Sequence, residues 1–177
     1  MRVEKVLRSS HKKEIKEIYL SSFPKEERMP FVLMLLMSCL WNTQFLAFYD
    51  DKTLCGLVYM ANLGKQTFIM FFAVDAKLRS KGYGSRILEE IQLLYPKNMI
   101  IVSIEPCMGS AENMEQRKRR KNFYIHNGYR ETGYWMNLAG QEQEILVKNG
   151  VFEKRKFIAF FMLYSCCTMI PKIWKLQ

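Results

Sequence analysis

The run from Thr67 to Val74 is the feature of the sequence that most restricts its fold. Its residues are apolar after the first one and do not alternate with polar residues, which is typical of a strand buried on both faces of a sheet. Apolar residues then recur at helical intervals from Tyr83 to Leu94, until Pro96 ends the pattern. A buried strand followed by an amphipathic helix predicts an α/β domain built on a central sheet.

The segment that joins this strand to this helix reads Arg79-Ser80-Lys81-Gly82-Tyr83-Gly84-Ser85. Glycine allows an anion to approach the backbone closely, and a helix N-terminus carries partial positive charge. The segment therefore predicts an anion site, with phosphate as the expected anion. A P-loop needs its lysine after the glycines, and a dinucleotide loop needs glycine or alanine where this chain has Ile87. Both of these loop types are excluded by spacing.

The remaining periodic segments predict one α/β domain without repeats or linkers. We assign residues 1–150 to the main domain and residues 151–177 to a C-terminal helix and tail packed on it. Predicted strands cover Arg2–Leu7, Thr43–Tyr49, Leu54–Ala61, Asn98–Glu105, Tyr129–Met136 and Glu142–Val147. Predicted helices cover Ile15–Phe23, Phe31–Leu40, a segment capped by Ser110 with Glu112 in its first turn and ending at Gly128, and Glu153–Ser165.

Composition limits the partners and the compartment. The 177 residues include 27 Lys and Arg against 17 Asp and Glu, a formal charge of +10, which favours a phosphate-bearing ligand, a nucleic acid or an anionic surface. The five cysteines lack the spacing of a zinc site or a disulfide framework, so we expect reduced thiols, no metal and a cytoplasmic protein. Neither apolar run, Phe31–Leu40 or Phe157–Ile170, reaches the length of a membrane span. The second run is a candidate homodimer surface.

Two motifs in register resemble those of the GNAT superfamily of N-acetyltransferases. The glycine segment matches the pattern R-x-x-G-x-G, and Phe123-Tyr124-Ile125-His126-Asn127-Gly128-Tyr129 resembles the family's late F-Y-x-x-x-G-[FY] element. The resemblance implies a mixed α/β fold with a central, mostly antiparallel sheet, flanking helices and splayed central strands. It also implies acetyl-coenzyme A as co-substrate and transfer of its acetyl group to a primary amine of a small molecule or peptide.

The resemblance assigns the cofactor site residue by residue. The pyrophosphate of coenzyme A is expected against the loop, and the end of the preceding strand is expected to pair with the pantetheine amides through its backbone. The residues carried over are Phe72, Ala73, Val74, Arg79, Ser80, Lys81, Gly82, Tyr83, Gly84 and Ser85. Asn113 is a further candidate, because the position seven residues before Tyr124, where the family often has asparagine, is Arg117 here.

Candidate catalytic residues follow from the chemistry of aminolysis. The resemblance implies Tyr124 as the general acid for the departing sulfur, with Phe123 packed inward and Tyr124 facing the cleft. Glu105, at the exit of a predicted strand, is a candidate proton acceptor for the amine or an ion-pair partner of nearby cations. Glu26 and Glu27 lie where the family usually forms its acceptor pocket, and they could select a cationic amine or simply form an exposed turn.

Two other functions remain open at the level of sequence. A GNAT-like chain could bind coenzyme A without turnover, as a sensor or scaffold. The basic run from Arg117 to Lys121 could be a solvated surface, could attract the cofactor or substrate, or could bind nucleic acid. Since no aromatic residues are interleaved in that run, nucleic-acid binding is the weakest of these readings.

Overall fold

The computed structural model describes residues 1–39, 42–109, 113–138, 140–165 and 167–176. Its helices are α1 (Lys12–Ser22), α2 (Phe31–Met37), α3 (Tyr83–Leu94), α4 (Met114–His126) and α5 (Lys154–Tyr164). Its strands are β1 (Arg2–Lys5), β2 (Thr43–Asp50), β3 (Thr53–Leu63), β4 (Gln66–Val74), β5 (Met99–Ile104), β6 (Arg130–Leu138), β7 (Gln141–Lys148) and β8 (Lys172–Lys175). Short 3-10 turns cover Val6–Arg8, Lys25–Glu27 and Ala76–Leu78.

The described strands form an eight-stranded sheet in the order β1-β2-β3-β4-β5-β7-β6-β8. The pairs β1–β2, β2–β3, β5–β7, β6–β7 and β6–β8 are antiparallel. A mixed α/β fold with a mostly antiparallel sheet was predicted, and it is confirmed. The chain divides into two compact units, with Met1–Asn62 and Ile69–Pro96 in unit 1 and Leu63–Phe68 and Lys97–Gln177 in unit 2.

An aromatic cluster forms the core of unit 1. Tyr19 of α1 packs edge-on against Phe71 of β4, with ring centroids 5.3 Å apart. Phe45 of β2 packs edge-on against Tyr59 of β3 at 5.6 Å. These four side chains are buried, and edge-to-face geometry adds to the stability gained from burial. The core thus fixes α1 on the strands that lead to the glycine segment.

The core of unit 2 is organised by α5. Phe157 and Phe161 of this helix lie with ring centroids 5.3 and 5.4 Å from Phe68 at the start of β4. All three rings are buried. The apolar pattern of α5 therefore reflects a buried helix, although Leu163 on its other side is 65% exposed.

Most predicted elements are present, with differences at their ends. Helix α4 begins at Met114, and the predicted cap Ser110 and Glu112 lie outside the described residues. The predicted end of α4 is confirmed, since Gly128 has φ +83° just beyond it. Strand β8 was missed, because four residues give too short a pattern and the strand forms by pairing with β6. No helix in the described part of the chain is long and apolar enough to cross a membrane.

A buried ion pair joins α4 to the sheet of unit 2. The Lys121 Nζ lies 2.9 Å from Oε1 of Glu144 on β7 and 2.7 Å from Oε1 of Glu131 on β6. Glu144 is only 5% exposed. Burial by itself lowers the pKa of Lys121, but hydrogen bonds to Glu131 and Glu144 and their charges raise it overall. The lysine therefore compensates a carboxylate that the fold has removed from water.

We expect Lys121→Met to destabilise the protein by about 2 kcal/mol. Removing one partner leaves the other charge buried and uncompensated, which costs about 3–5 kcal/mol for fully buried pairs, and the partial exposure of Lys121 reduces this. Chemical denaturation would measure the change. Lys118→Met is the matched control, since among the described residues Lys118 pairs only with the exposed Glu115. Equal stabilities of the two variants would contradict the prediction, whereas adding Glu144→Gln to Lys121→Met should recover most of the loss.

Candidate functional site

The segment between β4 and α3 begins with a turn held by Asp75. The Asp75 carboxylate accepts a hydrogen bond from the Lys77 backbone N–H at 2.8 Å. The backbone N–H of Asp75 donates to the carbonyl of Cys55 on β3 at 2.9 Å. Ser80 and Gly82 then take the left-handed region, with φ of +61° and +82°. Such alternation turns successive backbone N–H groups toward one side, as in anion-binding nests.

Helix α3 begins without a side-chain cap. Its N-cap residue is Gly82, which has no side chain to cap the helix. The first intrahelical hydrogen bond runs from the Arg86 N–H to the Gly82 carbonyl, at 3.2 Å. The N–H groups of the first turn have no acceptor within a helix. A Cβ placed on Gly82 would meet no atom within 4 Å, so the turn is open on that side. The arrangement can accept an anion at its N–H groups.

Gly56 allows the end of β4 and the first turns of α3 to approach β3. A Cβ at this position would collide with the carbonyl oxygen of Ala73, and it would lie 3.0 Å from Cδ1 of Ile87 and 3.2 Å from Cα of Val74. Any other residue would push these groups away. Glycine inside a strand often marks a close backbone approach, and this signal could have identified Gly56 from the sequence.

An ion pair holds the first turn of α3 to the end of β2. The Arg86 guanidinium donates to both oxygens of Asp50, at 2.9 and 3.1 Å. The Tyr83 hydroxyl donates to Asp50 Oδ2 at 3.1 Å. The hydrogen bonds from Arg86 and Tyr83 hold the pKa of Asp50 below its usual value. We call Asp50, Tyr83 and Arg86 the α3 clamp. Asp50 and Arg86 were not predicted as site residues, because their pairing joins residues that are distant in sequence.

The other predicted loop residues occupy different environments. Arg79 is exposed, but its Nε donates to the Val74 carbonyl at 3.3 Å and its Nη2 donates to the Ser22 hydroxyl at 3.3 Å. Lys81 is exposed and Ser85 is half-buried. Arg79 therefore braces the start of the loop, whereas Lys81 is available to an approaching anion.

The predicted acceptor residues of unit 1 are at its surface. Glu26 and Glu27 form the short 3-10 turn between α1 and α2, and both are exposed. This turn is tied to α1 by Arg28, whose guanidinium donates to the Phe23 carbonyl at 2.6 Å and to the Leu20 carbonyl at 2.7 Å. The two carboxylates are thus presented on a fixed connection, and their role in acceptor binding stays a prediction.

Glu105 lies just beyond β5 between two arginines of α4. Its Oε1 is 3.2 Å from Arg117 Nη2, and its Oε2 is 2.8 Å from Arg120 Nη1. The Asn113 side-chain amide donates to Oε1 at 3.3 Å and accepts from Arg117 Nε at 2.8 Å. Glu105 therefore forms the ion pairs that the sequence analysis considered for it, and its role as proton acceptor stays a prediction.

Tyr124 is the buried residue of α4. It is 7% exposed, and its ring lies 5.2 Å from the rings of both Phe123 and Tyr129. Burial raises the pKa of Tyr124 to about 12, against a smaller opposing effect of Arg120, so the phenol is a hydrogen-bond donor at neutral pH. We expected Phe123 to pack inward and Tyr124 to face the cleft. Phe123 is only half-buried, and Tyr124 is the more buried of the two, so the inward packing of Phe123 is incomplete, whereas the cleft-facing role of Tyr124 stays a prediction.

The basic run of α4 is mostly paired internally. Arg117 and Arg120 contact Glu105, and Lys121 contacts Glu131 and Glu144. Lys118 contacts Glu115. Arg119 is exposed and has no ion pair in the described part of the chain. The run therefore presents far less free positive charge than its sequence indicates. Where the chain is described, no three His, Cys, Asp or Glu side chains are grouped to hold a metal ion.

Comparison with known proteins agrees with this geometry. Residues 41–131 match the family model of the acetyltransferase (GNAT) domain. The chain belongs to the GNAT family and is an acetyl-coenzyme A-dependent acyltransferase. None of the curated proteins matches it significantly.

Solved structures show the same fold at low sequence identity. A protein assigned to the GNAT family from Bacteroides thetaiotaomicron is 21% identical, with a TM-score of 0.75 over 93% of this chain and 99% of that one. An aminoglycoside 6'-N-acetyltransferase complexed with coenzyme A is 14% identical, with a TM-score of 0.66 over 84% and 96%. The ribosomal-protein-S18-alanine N-acetyltransferase from Escherichia coli is 11% identical, with a TM-score of 0.61 over 86% and 95%.

We expect Asp50→Asn to weaken coenzyme A binding about two- to fivefold, because it loosens the first turn of α3 and exposed ion pairs have small effects. Isothermal titration calorimetry would measure the affinity. Asp51→Asn is the matched control, since Asp51 has φ +51°, which asparagine accepts readily. Because the pKa of Asp50 is lowered in the folded state, the stabilisation by the clamp is complete above the ordinary aspartate pKa of about 3.9 and is lost as the pH falls through the lowered pKa. Equal coenzyme A affinities of the Asp50 and Asp51 variants would show that the clamp does not contribute to cofactor binding.

Proposed function

We propose that this protein transfers the acetyl group of acetyl-coenzyme A to a primary amine of a small molecule or peptide by direct attack. The start of α3 is the main support for this proposal. The helix has no side-chain cap there, and Gly82, with φ +82°, leaves the N–H groups of the first turn open to a ligand. A pyrophosphate fits these donors by charge and by hydrogen bonding. Membership of the GNAT family and a relative solved with coenzyme A support the same ligand.

The loop and the end of β4 would hold the cofactor. The backbone from Arg79 to Ser85 would bind the pyrophosphate, with the exposed Lys81 adding a charge. The backbone of Phe72, Ala73 and Val74 would pair with the pantetheine amides. Gly56 and the α3 clamp would keep this surface in place. Coenzyme A supplies an activated thioester, and the protein supplies orientation and proton transfer.

Tyr124 is the proposed general acid. As the amine nitrogen bonds to the carbonyl carbon and the carbon–sulfur bond breaks, the sulfur gains negative charge that a phenol proton can neutralise. A phenol with the ordinary tyrosine pKa of about 10 is already protonated at neutral pH, and burial raises the pKa of Tyr124 further, to about 12. The proton acquired by sulfur would come from the Tyr124 hydroxyl.

The acceptor amine must lose a proton to become a nucleophile. An alkyl amine has a pKa of about 10.4, so presenting it neutral at pH 7 costs about 4 to 5 kcal/mol. Glu105 is the proposed acceptor of that proton, directly or through water. Each of its two oxygens contacts an arginine. The amine would therefore have to approach the lone pairs that these contacts leave free, either directly or through a bridging water. Asn113 would help to orient Glu105 and stays a candidate for cofactor contact.

We expect coenzyme A to stabilise the folded protein by about 2.7 kcal/mol at 100 times its dissociation constant. Thermal unfolding with increasing coenzyme A would measure this. Gly82→Leu should abolish the effect, because the new side chain would cover the N–H groups. The substitution strains the backbone at φ +82°, but the open surroundings of Gly82 leave room for the side chain.

The control for the loop variant is Gly64→Leu. Gly64 also has positive φ, +57°, and open surroundings, but it lies in the turn between β3 and β4. It should cost similar backbone strain and leave the coenzyme A effect unchanged. If millimolar coenzyme A did not change the thermal unfolding of the wild-type protein, the proposed function would be wrong.

We expect Tyr124→Phe to reduce the turnover number by about 100- to 10,000-fold, the contribution of general acid catalysis. The substitution keeps the ring and its packing but removes the donor, so coenzyme A affinity should barely change. Steady-state rates of thiol release would report turnover, with single-turnover rates to show that chemistry is limiting.

Tyr129→Phe is the matched control for Tyr124→Phe. Tyr129 is 2% exposed and belongs to the same ring cluster, and its hydroxyl has no hydrogen-bond partner in the described chain. Its removal should leave turnover and stability close to wild type. If Tyr124→Phe turned over within a factor of about two of wild type while chemistry was limiting, Tyr124 would not be the acid.

A further inference from the structure

The outer face of α5 is apolar where the helix ends. The phenylalanines of this helix point into the core of unit 2, and its exposed positions include a stripe at helical spacing, made up of Arg155, Lys156, Ala159, Met162 and Leu163. The two cations stand in the first turn of α5, and the two large apolar side chains stand in its last turn. Surface helices usually have charged or polar residues on this side. The stripe therefore ends in apolar surface that the described chain does not cover.

The loop that follows α5 adds to this apolar surface. The Ser165 hydroxyl accepts a hydrogen bond from the Met169 backbone N–H at 3.0 Å and donates to the Phe161 carbonyl at 2.7 Å. These bonds fold the loop against the last turn of α5. Both Met169 and Ile170 are exposed, the latter by 56%. We use the name apolar patch for Met162, Leu163, Met169 and Ile170.

Basic residues flank the apolar patch. Residues 151–176 contain five Lys and Arg against one Glu, and Lys172 follows the patch by only two positions. Lys175 on β8 lies opposite Tyr134, and residues paired in this way have their side chains on the same face of a sheet. The Tyr134 ring lies 5.3 Å from Phe152, which packs on α5, so Lys175 is on the face that α5 covers. Both lysines are exposed, and neither has an ion pair among the described residues.

We propose that the apolar patch and its flanking cations dock this protein on an anionic lipid surface. The apolar side chains would enter the boundary between headgroups and acyl chains, and Arg155, Lys172 and Lys175 would lie at the level of the lipid phosphates. Long basic side chains suit this position, because their stems cover apolar surface while their charged ends reach the headgroups. The inference is independent of the proposed acetyl transfer, since none of these residues belongs to the proposed cofactor or catalytic site.

Charge favours this partner over two others. A second copy of the chain would bring the same excess of positive charge against itself, and like charges across an interface cost binding energy. A nucleic acid bound through its phosphates would satisfy the cations but would leave the apolar patch in water. An anionic lipid surface offers both phosphates and hydrocarbon.

Cosedimentation of the full chain with lipid vesicles tests the proposal. We expect binding to phosphatidylcholine vesicles that contain about one-third phosphatidylglycerol, and binding should weaken without the anionic lipid and with added salt. The double substitution Lys172→Gln and Lys175→Gln should weaken binding about 25-fold, about fivefold for each cation near the surface. Leu163→Asn should weaken it about tenfold, the order of effect expected from keeping one leucine side chain out of hydrocarbon.

Matched controls make the same chemical changes elsewhere. Leu93→Asn replaces a leucine of α3 that is 73% exposed, and the double substitution Lys13→Gln and Lys16→Gln removes two exposed cations of α1. Both controls should bind vesicles within about twofold of wild type. All of these side chains are exposed, so their effects on stability should be small, and unfolding curves would verify that each variant is folded.

Four results would overturn the proposal. The first is a wild-type protein that does not sediment with the anionic vesicles at low salt, and the second is equal vesicle binding by Leu163→Asn and Leu93→Asn. The third is a dimer in sedimentation velocity without lipid that Leu163→Asn dissociates, which would assign the apolar patch to a second copy. The fourth is binding to single-stranded RNA that is tighter than binding to the vesicles and insensitive to Leu163→Asn, which would assign the cations to nucleic acid.

Discussion

The missing side chain of Gly56 is the constraint on which the proposed cofactor loop depends. Only a glycine on β3 lets the Ala73 carbonyl and the Ile87 side chain come as close as they do. The end of β4 and the beginning of α3 are thereby placed against the same strand. The Asp50–Arg86 ion pair and the Asp75 turn then fix the few residues between them. Open N–H groups can bind an anion strongly only if they are held in advance, because ordering them during binding would cost affinity.

Charge in unit 2 is used mostly for internal organisation. The basic face of α4 meets Glu105, Glu131 and Glu144, so the helix is oriented by ion pairs on the side that also buries Tyr124. Buried charges need partners, and this requirement explains why the densest basic run of the sequence does not form an open cationic surface. The same arginines position Glu105 and, in the proposed reaction, would limit the directions from which an amine could approach it.

The cofactor side and the acceptor side of the proposed reaction are built differently. The loop of unit 1 consists of backbone donors, and its properties depend on φ angles and close packing. In unit 2, the groove beside Glu105 is lined largely by side chains, among them those of Arg117, Trp135 and Glu142. Backbone sites accept a constant chemical group, whereas side chains can vary without disturbing the fold.

The sequence by itself determined most of the elements, the position of the glycine loop and the family. The apolar run of β4, the glycines before α3 and the left-handed Gly128 each act through neighbours in sequence, so local patterns suffice to predict them. The tertiary structure alone decided the partners of Glu105, the pairing of Asp50 with Arg86, the burial of Tyr124 rather than Phe123 and the formation of β8. These depend on contacts between residues far apart in sequence, and residue spacing carries no record of which distant side chains will meet.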